Sequence, residues 1–143
     1  MQLTSHTDYA LRLLIYLAVH DDNDAPTVND AASRYRVSRN HMAKVAQDLA
    51  QRGYISGQRG RGGGLRLSHD PADINIGELV RKIESINLVE CLRTDSRCRI
   101  QQACRLTAAM KEAREAFVKV LEGYTLLDLI RPKTQLVRLL QKR

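Results

Sequence analysis

At 143 residues, 43% of them hydrophobic, the chain has room for one domain with a real core and an appended helix. With no Trp and one Phe, that core must be built from Leu, Ile, Val and Ala on helices. The formal charge of +7 is concentrated: residues 31–69 hold eight basic groups against the single acid Asp48, whereas residues 1–30 hold Arg12 against five aspartates. A basic block of this kind points to a polyanionic partner; its blander reading is a solvated face. The apolar run 13–19 is too short to span a bilayer, so no membrane role is expected. The lack of a targeting segment and an odd number of thiols together predict a chain of the reducing cytoplasm.

In chain order, residues 3–20 carry Ala10, Leu11, Leu14, Leu17 and Ala18 at helical spacing. Ser5 followed by Asp8 predicts a capping-box start, and Arg12 lies four residues beyond Asp8, in ion-pair register. Thr27 and Asp30 repeat the capping signature before a short helix running to about Tyr35. Arg36 and Val37 make a tight turn. Ser38 opens a third helix whose Met42, Val45, Ala46 and Leu49 share one face, and Gly53 stops it. Two helices joined by a short turn read as a helix-turn-helix, with Ser38, Arg39, Asn40, His41 and Lys44 on the reading helix, turned away from the core. Thr27 and Val28, at the start of the preceding helix, join them as candidate DNA contacts.

Residues 54–56 and 65–67 then form a strand, a glycine-rich tip and a strand. The tip carries Arg59, Gly60, Arg61 and Gly62, which can approach a phosphate closely. No Lys-Ser/Thr follows the glycines, which rules out a nucleotide-binding loop; the segment suits the wing of a winged helix. After Pro71, Asn75 and Glu78 start a fourth helix.

Cys91, Cys98 and Cys104, the only cysteines, fall within one fourteen-residue window. An odd cluster is a poor disulfide framework and a fair metal-ligand loop, suited to zinc or an iron–sulfur cluster. The bland alternative is three unliganded thiols. Three thiolates leave a ligand position open to one of His6, His20, His41 or His69, to a carboxylate or to water. Arg93, Arg97, Arg99, Arg105 and a helix N-terminus at Cys104 are expected to favour the thiolate form.

From about Ala103 the apolar residues Leu106, Met110, Ala113, Phe117, Val120 and Tyr124 form a seam. It can pack on its own domain or on a second copy; a homodimer matches the habit of helix-turn-helix proteins. A Leu-rich helix starts at Thr125 with Asp128, and Pro132 interrupts it. The expected architecture is mainly α with a small β-hairpin wing. It comprises a winged helix-turn-helix over 1–85, a cysteine cluster-binding loop over 86–104, a dimerisation helix region over 105–130 and a basic tail over 131–143. No Ser/His/Asp or paired-carboxylate constellation is present, so an enzyme is not expected.

Three strings carry a resemblance: Thr7-Asp8-Tyr9-Ala10-Leu11-Arg12, then 37–45 from Val37-Ser38-Arg39 to Lys44-Val45, then Arg59-Gly60-Arg61-Gly62-Gly63-Gly64-Leu65. Together with the three-cysteine loop, they resemble the winged-helix iron–sulfur repressors, the family that holds NsrR-type nitric-oxide sensors and IscR-type regulators. The IscR-like branch has a histidine three residues after the third cysteine, and a 2Fe-2S cluster; Thr107 stands there in this chain. The NsrR-like branch implies a 4Fe-4S cluster on the three cysteines, with Asp8 of the other subunit as fourth ligand. It further implies a repressor whose cluster reacts with nitric oxide, releasing double-stranded operator DNA and derepressing nitric-oxide detoxification genes. Asp8 and Arg12 would then form a switch. The rival expectations are a same-fold regulator answering to iron, redox state or cluster supply, and a small iron–sulfur enzyme or electron carrier.

Overall fold

A computed structural model of the chain describes residues 2–20, 25–57 and 63–141. They form seven α-helices and one two-stranded antiparallel sheet, divided between two compact units. The first takes in the described residues of Thr4–Ile74 and returns for 125–141. The second comprises residues 2–3 with Asn75–Tyr124.

The first unit is a winged helix. Helix α1 (Ser5–Val19) buries Ala10, Leu13, Leu14 and Leu17, the face its 3.6-residue period dictates. Its cap differs from the expected one. Thr4, not Ser5, is the N-cap and accepts from the Thr7 N–H (3.3 Å), so Asp8 falls at the fourth helical position and is not a capping-box partner. The shift of one residue has a local cause: Thr4 and Thr7 exchange a hydroxyl contact (3.2 Å) that Ser5 is one position too late to make. Helix α2 (Val28–Tyr35) has the expected capping box from Thr27 and Asp30. It ends at Arg36 in the left-handed region (φ 53), with the Val37 N–H reaching back to the Ala32 carbonyl (3.0 Å). That turn feeds α3 (Arg39–Gln51), which buries Met42, Val45, Ala46 and Leu49. A fully buried Leu contributes about 1.5–3 kcal/mol over an exposed one, so the packing of α3 against both α1 and α2 is a main source of this core's stability.

Gly53 takes φ +79 after α3, a conformation that strains any side-chain-bearing residue, and turns the chain into β1 (Ile55–Gly57). Strand β2 (Leu65–Leu67) pairs antiparallel with it, Ile55 opposite Leu67. Gly64 leads into β2 against the Ala25 backbone; a Cβ there would sit 2.7 Å from the Ala25 carbonyl carbon. After a 3-10 turn at Pro71–Asp73 the chain leaves this unit. It re-enters through α6 (Leu126–Leu129), whose Thr125–Asp128 capping box matches expectation and whose Leu126 N–H bonds to the Ile74 carbonyl (2.8 Å). The basic C-terminal stretch is helical: α7 (Lys133–Gln141) packs against α1.

In the second unit, α4 (Ile76–Ile83) starts at Asn75, which accepts from the Glu78 N–H (3.0 Å) and donates to the Glu122 carbonyl (2.7 Å). Arg81 ties α4 to α5 (Arg105–Glu122) through Glu115 and Glu122, both at 2.9 Å. Between the two helices lie a 3-10 turn at Glu90–Leu92 and the cysteine segment. The face of α5 that meets its own unit carries Thr107 and Val118, buried, with Met110 and Phe117 half-buried. The seam therefore divides: Met110 and Phe117 face inward, whereas Leu106 (52% exposed) and Val120 (64%) face solvent. With Ala109, Ala113 and Ala116, also exposed, they form an outward stripe at spacings of three and four. Tyr124, exposed, lies past the helix end.

Candidate DNA-reading face and thiolate segment

The buried side of α3 is apolar, so helical geometry forces its other residues outward. Arg39, Asn40, His41 and Lys44 are all exposed, as is Ser38, whose hydroxyl makes no capping bond. Among the described residues, Arg39, Asn40 and Lys44 make no ion pair or side-chain hydrogen bond within the chain. Their donors are available to base edges and phosphates. At the start of α2, Thr27 is exposed but its hydroxyl donates to Asp30 (2.7 Å), and Val28 is half-buried. Arg59, Gly60, Arg61 and Gly62 of the expected wing tip lie outside the described residues.

The one acid of the basic block is neutralised inside the fold. Asp48, on α3, accepts from Arg52 Nε (2.8 Å) and pairs with His6 Nε2 of α1 (2.9 Å). Partial burial alone would raise its carboxyl; the His6 and Arg52 hydrogen bonds outweigh that and hold it below the ordinary 3.8. No local pattern reveals the His6 contact, because the two residues are forty-two positions apart. The pair pins the start of α1 to the reading helix.

A second connection runs beside it. Asp8 and Arg12 form the expected ion pair (2.8 Å). The Arg12 guanidinium also lies 6.0 Å from the Tyr9 ring centre and 5.8 Å from that of Tyr35. Tyr9 in turn sits 6.5 Å, ring to ring, from His41 on α3. The side chains around Asp8 thus reach the reading helix through aromatic contacts.

The three cysteines are free thiols. Cys91 is buried in its 3-10 turn, and Cys98 and Cys104 are half-buried. Gln101 steadies the segment by donating to the Cys91 carbonyl (2.8 Å), and Arg97 N–H donates to Glu90 (3.2 Å). Cys104 is the N-cap of α5, and its thiol is held below the ordinary range. The largest cause is the nearby backbone N–H of Thr107, then that of Leu106, although neither closes a capping bond to the sulfur. None of the expected arginines is among those causes at Cys104, and Arg93 is held by both oxygens of Asp95 (3.0 and 2.9 Å). Among the described residues no three His, Cys, Asp or Glu side chains converge on a single-ion site. The donor chemistry suits an iron–sulfur cluster instead: soft thiolates on one segment, one already biased towards its anion by a helix N-terminus. Asp8 belongs to the winged unit, and the cysteines to the other.

A winged helix with an unpaired basic reading face defines a DNA-binding transcriptional regulator. The match to known proteins narrows this. The profile of the Rrf2 family, described as iron-dependent transcriptional regulators, matches residues 3–132, and the chain belongs to that family. It is 44% identical to the HTH-type transcriptional regulator NsrR of Bacillus subtilis (strain 168) over 145 positions, covering 100% of this chain and 99% of that protein. It is 46% identical to the NsrR of Shouchella clausii (strain KSM-K16), covering 99% and 96%. Among solved structures, T. potens IscR overlays with a TM-score of 0.74 at 20% identity, covering 92% of this chain and 88% of that one. CymR, the global cysteine regulator of B. subtilis, overlays at 0.64 and 25% identity, covering 90% and 95%. No helix among the described residues is long and apolar enough to cross a membrane.

Proposed function

We propose that this regulator is a homodimeric repressor that senses nitric oxide through an iron–sulfur cluster held by Cys91, Cys98 and Cys104, with Asp8 of the second copy as the remaining ligand. The observation that carries the reading is the set of three free thiols on one segment with Cys104 favoured as thiolate. Full-length similarity to regulators named NsrR supports it, and Thr107 at the position of the IscR-like histidine favours a 4Fe-4S over a 2Fe-2S cluster. When bound, such a cluster supplies iron centres with which nitric oxide reacts.

The chain's own residues supply the response. Ser38, Arg39, Asn40, His41 and Lys44 serve the major groove and its flanking phosphates, with Thr27 and Val28 beside them and Arg59, Gly60, Arg61 and Gly62 following the backbone or minor groove. Asp8 has two uses, as ligand and as partner of Arg12. Without a cluster Asp8 would hold Arg12 in the ion pair seen here, and Arg12 bears on Tyr9 and Tyr35, of which Tyr9 abuts His41. Loss of one inter-subunit ligand thereby alters the spacing of two reading helices. The exposed stripe Leu106, Ala109, Ala113, Ala116, Val120 supports pairing of two copies through α5.

The test is anaerobic purification with absorbance and iron and sulfide analysis, followed by operator gel shifts with added nitric oxide. The parent protein should be coloured and release DNA on nitric oxide addition. Cys98→Ala should lose the cluster, and Asp8→Ala should keep it in a more labile form. A colourless, iron-free protein that binds its operator regardless of nitric oxide would end the proposal. The family's description as iron-dependent favours one rival, a response to iron supply; release of DNA by chelators but not by nitric oxide would select it.

A further inference from the structure

Thr107 stands in the first turn of α5, three residues after Cys104, and is 93% buried. Its Oγ1 is the one buried side-chain oxygen or nitrogen among the described residues without a hydrogen-bond partner. That is unusual for threonine in a helix, where the hydroxyl can turn to a carbonyl one turn back. A buried hydroxyl left without a partner costs free energy that an apolar side chain of the same shape would not. Valine has that shape, so the hydroxyl calls for a reason. The group it lies beside is the Cys104 side chain: Cys104 is the N-cap of α5 and Thr107 its third residue, positions whose side chains meet at a helix start.

We propose that the Thr107 hydroxyl is a positioning donor for the sulfur of Cys104, completing its hydrogen bond when that sulfur carries an iron–sulfur cluster. The proposal rests on the cluster reading above and deepens it. Thr107 is not a ligand: a neutral hydroxyl is a poor donor to iron, whereas its proton suits a thiolate sulfur at the N-terminus of α5, where Cys104 is the N-cap. Hydrogen bonds to cluster sulfurs withdraw charge and favour the reduced state, so the donor raises the potential. It also slows loss of iron at Cys104 by fixing the sulfur's orientation.

The test compares the parent protein with Thr107→Val, which keeps the shape and removes the hydroxyl, and with Thr107→Ser, which keeps the hydroxyl. All are loaded anaerobically and assayed for iron and sulfide. In Thr107→Val the midpoint potential should move to a more negative value. One iron–cysteine stretching band in the resonance Raman spectrum should shift upward, and a chelator should strip iron about tenfold faster. Thr107→Ser should restore all three. Without the cluster, Thr107→Val should melt at a higher temperature than the parent, because its buried hydroxyl is gone. A merely structural role would not give this opposition between the loaded and unloaded forms. If loaded Thr107→Val matches a cluster-bearing parent in potential, Raman spectrum and stripping rate, the donor role is wrong and the cluster reading survives. If the parent binds no iron or sulfide, both fall together.

Discussion

Asp48→Asn tests how the reading helix is held. The substitution keeps the size of the side chain and one acceptor oxygen but removes the charge that draws His6 and Arg52 to α3. The Arg52 pair lies within one helix and is partly exposed, so its loss costs about 0.3–0.5 kcal/mol. The His6 contact joins α1 to α3, and weakening it costs about 0.5–1 kcal/mol. The sum is about 1 kcal/mol, or roughly 2–4 °C in Tm for a chain of this length. The pH dependence follows from the depressed carboxyl. Its contribution is fully present above the unfolded value near 3.8 and is lost as pH falls through the lower folded value. Urea melts of parent and variant at several pH values between 7 and 3 measure this. The stability gap should shrink as pH falls below about 4. A variant as stable as the parent at neutral pH, or a gap unchanged down to pH 3, would refute the assignment.

Two further outcomes concern binding and assembly. Arg39→Ala should weaken operator binding by about 1–3 kcal/mol and relax the preference at one base pair, measured on a panel of single-substitution operators; equal weakening at every sequence would assign Arg39 to phosphate instead. Val120→Glu places a charge in the outward stripe of α5. It should weaken self-association by about 3–5 kcal/mol in sedimentation equilibrium while leaving far-ultraviolet circular dichroism unchanged, because Val120 is exposed within its own chain.

Local chemistry made much of this protein readable from its residues in order. The Thr27–Asp30 and Thr125–Asp128 capping boxes, the Gly53 stop and the buried face of α3 each depend on residues within a turn or two of one another. The reading face followed, because once Met42, Val45, Ala46 and Leu49 are inside, Arg39, Asn40 and Lys44 must be outside. One cap slipped by a residue because Thr4 and Ser5 are equally good formers of that motif, and the Thr7 hydroxyl chose between them.

Tertiary structure alone decided the rest. The phase of α5 depends on which of its faces α4 covers, so Met110 and Phe117 turned inward and Ala109 and Ala116 joined the outward stripe. The partners of Asp48 and the orphaned hydroxyl of Thr107 arise only when distant segments meet or when burial removes water. A single chain of residues states which groups exist and which helical face each occupies. It does not state which groups will lose their solvent, and that loss gives Asp48 and Thr107 their energetic weight.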